Sequence, residues 1–159
     1  MAYTITDLCI GCSLCRLVCP VDAIEGQPRK IHRVLSDRCI DCGACGRICP
    51  QAAVRDPRGR TCERVRLRKR WPRPVVDPAT CIGCRICLEV CPTSCFDLTP
   101  PGGSREAVRT AVLARPAKCV GCGFCADECP VEAVTMVPGD ELDERQSALD
   151  SKESTPPAQ

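Results

Sequence analysis

Cys9–Ile10–Gly11–Cys12–Ser13–Leu14–Cys15–Arg16–Leu17–Val18–Cys19–Pro20 reads C-x2-C-x2-C-x3-C-P. The same spacing returns at Cys39, Cys42, Cys45 and Cys49–Pro50, again at Cys81, Cys84, Cys87 and Cys91–Pro92, and a fourth time at Cys119, Cys122, Cys125 and Cys129–Pro130. These four runs take up sixteen of the eighteen cysteines. One such run could arise by chance; four, each closed by proline, could not plausibly do so.

The rest of the composition explains why cysteine dominates. Among 159 residues the only aromatic side chains are Tyr3, Trp71, Phe96 and Phe124. A lobe of about 60 residues buries only about 60% of its unfolded surface and needs help to stay folded. With so few large side chains, the cysteines must supply cohesion, either as disulfides or as metal ligands. Only eight residues precede Cys9, without a basic start or a long apolar run, so no secretory leader is expected. No run of 18 apolar residues suggests a membrane span. A cytoplasmic, reducing setting follows as an expectation, and there cysteine clusters more often bind metal.

Working outward, Tyr3–Thr4–Ile5–Thr6 suits a short strand into the first motif. After Pro20, Val21–Asp22–Ala23–Ile24 precedes a turn at Gly26–Gln27–Pro28, and Lys30–Ile31–His32–Arg33–Val34–Leu35 reads as the returning strand. Gln51–Ala52–Ala53–Val54 repeats the segment that follows Pro20. The half-repeat, Cys9 to Cys39, is thirty residues long. In the second half Val75–Val76 replaces the first strand, and Thr93–Ser94–Cys95–Phe96 and Val131–Glu132–Ala133–Val134 occupy the segments after proline. The hairpin between is longer, with Pro100–Pro101–Gly102–Gly103 at its tip. Residues 105–114 are ambiguous between helix and strand, and repeat position favours strand for residues 110–114. The expected domains are residues 1–54, a basic linker over 55–74, residues 75–137, and a polar tail over 138–159, disordered or partner-binding.

Three cysteines at i, i+3 and i+6 let one loop wrap an iron–sulfur cube and aim its amides at sulfur. Ile10, Ile40, Ile82 and Val120 can pack against such a group. Gly11, Gly83 and Gly121 precede the second cysteine, where a tight loop favours permissive backbone; Asp41 stands there in the second copy and tolerates left-handed angles. Zinc knuckles and a disulfide framework remain open alternatives, although the C-x2-C-x2-C triple suits a cube better than a single ion.

Each half of the chain, over residues 3–54 and 75–137, resembles a bacterial two-[4Fe-4S] ferredoxin domain. The resemblance implies an α+β fold: two tandem bacterial-type dicluster ferredoxin domains, with short strands and short helices around four [4Fe-4S] clusters. It also implies that the fourth cysteine of each motif serves the neighbouring cluster. The ligand sets are then Cys9, Cys12, Cys15 with Cys49; Cys39, Cys42, Cys45 with Cys19; Cys81, Cys84, Cys87 with Cys129; and Cys119, Cys122, Cys125 with Cys91. Sixteen thiolates holding four units of about −2 each would move the formal balance of +2 to about −6. As a whole the chain is similar to polyferredoxin subunits of multisubunit oxidoreductases, most closely the small ferredoxin-like subunit of tungsten-dependent aldehyde oxidoreductases. The implied role is electron transfer between a catalytic subunit, by resemblance a tungsten or molybdenum enzyme, and an electron-acceptor subunit or carrier. End-to-end self-association is a further expectation. A free-standing diffusible ferredoxin and a maturation protein for a metalloenzyme are the rival readings.

No general base, nucleophile or phosphate loop stands out, so no substrate site is expected. Cys95 aligns with Ala23, Ala53 and Ala133 and reads as a small buried residue. Cys62 lies among basic residues and reads as an unremarkable surface thiol. His32, the only histidine, is expected to face solvent. Nine of the nineteen residues over 55–73 are Arg or Lys. With Trp71 as its lone aromatic, this stretch suits docking or a solvated linker, not nucleic acid. Val65, Leu67 and Trp71 are expected to pin it to a lobe.

Overall fold

The four helices are short, and the motif sets both of their ends. The computed structural model describes residues 2–99 and 109–141. Helices α1 (Leu14–Val18), α2 (Ala44–Ile48), α3 (Ile86–Glu89) and α4 (Phe124–Asp127) each start after a left-handed residue that follows the second cysteine. Those residues are Ser13, Gly43, Arg85 and Gly123, with φ of 63°, 71°, 72° and 93°. In the first two copies the helix stops at the fourth cysteine. Cys19 and Cys49 are extended, with ψ of 116° and 118°, because a following proline disfavours helical backbone. Helices of this length are not stable alone and depend on tertiary packing.

Among the described residues, eight strands pair as four antiparallel ribbons. In the first lobe β1 (Thr4–Ile5) pairs with β4 (Val54–Arg55), and β2 (Ile24–Glu25) with β3 (Arg33–Val34). In the second, β5 (Arg73–Val76) pairs with β8 (Val134–Val137), and β6 (Phe96–Leu98) with β7 (Ala111–Leu113). Each lobe therefore runs strand, helix, hairpin, helix, strand, with its first and last strands joined. The ambiguous stretch over 110–114 does hold a strand. Strand β5 begins at Arg73, two residues before Val75–Val76. The hairpin tip at Pro100–Gly103 and residues 142–159 lie outside the described residues.

The first core gathers Ile24 and Val54 around Cys15 and Cys45, with Tyr3, Ile5, Val34, Ile48 and Cys62 at its edge. The second gathers Phe96, Ala111 and Val134 around Cys87, Cys95, Cys119 and Cys125. A third cluster joins the lobes: Val18 and Ala44 from the first, Val120 from the second, and Trp71 between them. Trp71 is 0% exposed, its Nε1 donates to the Val65 carbonyl at 3.1 Å, and the guanidinium groups of Arg47 and Arg68 stand 5.5 and 5.3 Å from its ring centre.

Three expectations are corrected. His32 does not face solvent: it is 1% exposed, with Nδ1 3.0 Å from the Lys30 carbonyl and Nε2 3.3 Å from Ser13 Oγ. Gly26, across the hairpin, leaves the room: a Cβ there would meet the imidazole. Leu67 does not help pin the basic stretch, because the turn at Arg68–Arg70 leaves it 50% exposed while Val65 and Trp71 pack inward. Cys62 is not a surface thiol. Its side chain lies against Gly46 of α2, at the edge of the first core, and burial pushes its thiol up.

Candidate metal centres

Proline after the fourth cysteine does more than end a helix. In every copy the second residue past it is left-handed: Asp22, Ala52, Ser94 and Glu132, with φ of 49°, 49°, 50° and 51°. This kink turns the next backbone amide onto the fourth cysteine. The amides of Ala23, Ala53, Cys95 and Ala133 donate to the sulfurs of Cys19, Cys49, Cys91 and Cys129, each at 3.3 Å. The donor residues are all buried, which is why Ala or Cys stands there. The small-buried reading of Cys95 holds. Non-glycine residues in left-handed geometry cost roughly 1–3 kcal/mol each and persist where the surroundings impose them. An amide donated to sulfur stabilises a thiolate.

The tertiary fold then brings the cysteines together across the half-repeats. Cys9, Cys12, Cys15 and Cys49 line one cavity. Cys39, Cys42, Cys45 and Cys19 line a second. Cys81, Cys84, Cys87 and Cys129 line a third. In the remaining group, burial first, and then charge on Cys119 and Cys91, raises the thiols of both Cys122 and Cys125. Each of the three cavities takes three cysteines from one motif and the fourth from its twin. The loops close tightly: Gly11 has φ +66°, and a Cβ there would collide with the backbone of Arg29 and Lys30. Asp41 adopts φ 54° at the equivalent place.

Burial dominates the thiol chemistry of the metal-free chain. It pushes Cys15 up to about 11 and Cys45 and Cys125 up to about 12. Neighbouring cysteines push the last two further in the same direction. Each set is thus costly to charge unless cations occupy its centre. Among the described residues, no three Cys, His, Asp or Glu side chains converge as one ion requires. The apolar walls and the amide-bonded fourth sulfur suit a cube.

The four sets are not equally covered. Cys12 and Cys84 are exposed, whereas Cys42 and Cys122 are half-buried and pack against the interlobe cluster of Trp71 and Val120. The residues after the first cysteine follow suit: Ile10 and Ile82 are 55% and 58% exposed, and Val120 is 2% exposed. The second and fourth motifs therefore meet at the centre, and the first and third stand at the outer ends.

The 4Fe-4S dicluster domain families match residues 2–55, and residues 38–95 and 80–133. The chain belongs to the 4Fe-4S dicluster ferredoxin family. It is an iron–sulfur, electron-transfer protein whose cofactors are up to four [4Fe-4S] clusters. Among curated proteins, a component of the ion-translocating oxidoreductase complex of Azoarcus sp. (strain BH72) is 49% identical over 35 residues, 22% of this chain and 19% of that protein. The chain thus matches about a fifth of that relative's length. Among solved structures, a chain of the formate dehydrogenase–heterodisulfide reductase–formylmethanofuran dehydrogenase complex from Methanospirillum hungatei is 18% identical, with a TM-score of 0.41 over 90% of this chain and 56% of that one. No helix among the described residues is long and apolar enough to cross a membrane.

Proposed function

We propose that this dicluster ferredoxin is the electron-transfer subunit of a multisubunit oxidoreductase, relaying single electrons between a catalytic subunit and an acceptor subunit or carrier. When bound, [4Fe-4S] clusters accept and release one electron each. The sixteen motif cysteines hold four of them in the crossed sets described above, two per lobe, over residues 1–54 and 75–137. Residues 55–74 join the lobes, and the polar residues over 138–159 serve a partner. The chain has no substrate site of its own in this reading and works in the cytoplasm.

One observation carries the proposal: the outer cysteine sets are open at Cys12 and Cys84 while the inner sets are closed over by the other lobe. Such a layout offers a donor and an acceptor separate ends. Exposed Leu8, Ile10 and Ile82 near those ends provide apolar contact. Arg64, Arg66 and Arg70 of the basic stretch, all exposed, offer an acidic partner a docking face. The sequence resemblance supports a tungsten or molybdenum enzyme as the catalytic partner. The curated relative, itself part of an ion-translocating oxidoreductase complex, supports the subunit role. Anaerobic co-purification from the native cell, with iron and sulfide counted, is the test. A stoichiometric complex carrying about sixteen irons per copy of this chain is expected. A lone monomer with full iron would favour a diffusible carrier, and far fewer irons would end the four-cluster reading.

A further inference from the structure

Three residues separate the third and fourth cysteines in all four copies, and the middle one normally points away from the lobe. In copies one, three and four it is Leu17, Glu89 or Asp127, each exposed; Leu17 is 83% exposed. In the second copy it is Arg47, which is half-buried and reaches across to the other lobe. Its Nη2 donates to the carbonyls of Cys42 at 2.6 Å, Val120 at 2.7 Å and Gly121 at 3.0 Å. The guanidinium stands over Trp71, and the Arg47 carbonyl accepts from the Val65 amide at 2.9 Å. Gly121 completes the contact: with φ +66° its bare Cα lies against the Pro72 carbonyl.

This arrangement is not the cheapest way to join two lobes. Arg47 Nε is buried without a hydrogen-bond partner, and an unsatisfied buried donor costs stability. A leucine, as at position 17, would avoid that cost. What arginine adds is a fixed positive charge and one nitrogen, Nη2, that ties loop 39–42 to loop 119–122. Those loops carry Cys42 and Cys122. Both cysteines pack against the same cluster of Trp71 and Val120.

We infer that electrons cross between the lobes at the seam of Cys42 and Cys122, and that Arg47 is the positioning residue that sets it. The inference rests on the relay reading above. In either direction the crossing moves one electron out of the set of Cys19, Cys39, Cys42 and Cys45 and one into the set of Cys91, Cys119, Cys122 and Cys125, or the reverse. No bond is made or broken. Arg47 contributes twice. Its three hydrogen bonds hold the two loops in register, and its charge favours an added electron on either side. The order along the molecule is then first motif, second, fourth, third, which differs from the order along the chain.

The experiment uses the full chain, loaded anaerobically, as wild type, Arg47→Gln, Arg47→Lys and Leu17→Gln. Each is assayed for iron, for electron paramagnetic resonance during stepwise reduction, and for the midpoint potential of each centre. Arg47→Gln is expected to keep its full iron, lose the magnetic interaction between the inner centres, and shift their potentials downward relative to the outer pair. Arg47→Lys should recover part of the potential shift but not the interaction, since its shorter side chain, without a planar guanidinium to stack on Trp71, does not place a donor where Nη2 stands. Leu17→Gln, at the same place in the first copy, should match wild type. A fully loaded Arg47→Gln protein with unchanged interaction and potentials would overturn the inference while leaving the relay reading intact. A low iron count in the wild type would instead sink the relay reading. If Arg47→Gln does not load, Arg47→Met, which keeps the buried stem, is read by the same criteria. Failure of both variants to load overturns the positioning role, because Arg47 would then serve folding.

Discussion

Replacing Trp71 by alanine should open the molecule without unfolding its lobes. The indole is fully buried among Val18, Ala44 and Val120, donates one hydrogen bond to Val65, and lies beneath two guanidinium groups. Removing a buried tryptophan side chain costs about 3–5 kcal/mol. The two cation–π contacts add roughly 0.5–2 kcal/mol apiece and the hydrogen bond about 1 kcal/mol, with strong non-additivity. Taking about 4–5 kcal/mol for the whole, the ratio of open to closed molecules should rise by about a thousandfold, since about 1.4 kcal/mol is tenfold. That loss falls on the seam because each lobe has a core of its own, around Ile24 and Val54 in the first and Phe96 and Val134 in the second. The assay is small-angle scattering of the loaded protein beside an iron count. The expected result is a larger radius of gyration with all the iron retained. Trp71→Phe, which keeps most of the apolar area and the ring face, should stay closed. A Trp71→Ala protein with wild-type dimensions and an unfolding midpoint equivalent to a loss under about 1 kcal/mol would refute the reasoning.

Three further outcomes are expected. Cys19→Ala should damage the centre formed by Cys39, Cys42 and Cys45 and spare the one formed by Cys9, Cys12 and Cys15; spectroscopic loss in the reverse order would refute the crossed sets. Thr93→Val should lower the potential of the centre that includes Cys91, because Thr93 Oγ1 lies 3.6 Å from Cys91 Sγ, and hydrogen bonds to sulfur raise cluster potentials; no other copy has a hydroxyl at this position, so the other centres should not shift. In the metal-free chain, the buried thiols of Cys45 and Cys125 are raised from 9.0 to about 12. The folded state therefore holds these protons more tightly than the unfolded one. Their contribution to stability is complete below about pH 9 and is lost as pH rises toward 12. Denaturant titrations of the metal-free chain should show that loss. The loaded protein, whose thiols are already deprotonated, should not share it.

Much of the lobe was legible because the constraint is local. Spacing of i, i+3 and i+6 fixes a loop around a centre, and a proline after the fourth cysteine stops the helix; both are properties of a dozen consecutive residues. The repeat likewise located β7 in a stretch whose own pattern was ambiguous. Cys95 could be placed as a small buried residue by aligning it with three alanines. His32 could not be placed in the same way, since its burial depends on the space left by Gly26 across the hairpin. Leu67 and Val65 looked equivalent by hydrophobicity, but only one of them is turned toward Trp71.

The sequence by itself determined the kind of centre and the number of repeats, because both follow from residue type and short-range spacing. Tertiary structure alone decided which repeats meet. Four copies of one motif are equivalent along the chain, and nothing in their spacing favours one pair of faces. Arg47, Trp71 and Val120 break that equivalence by contacts such as the Arg47–Val120 hydrogen bond, which joins residues 73 positions apart along the chain. A contact of that kind is a match between surfaces, which exists only once both lobes have formed.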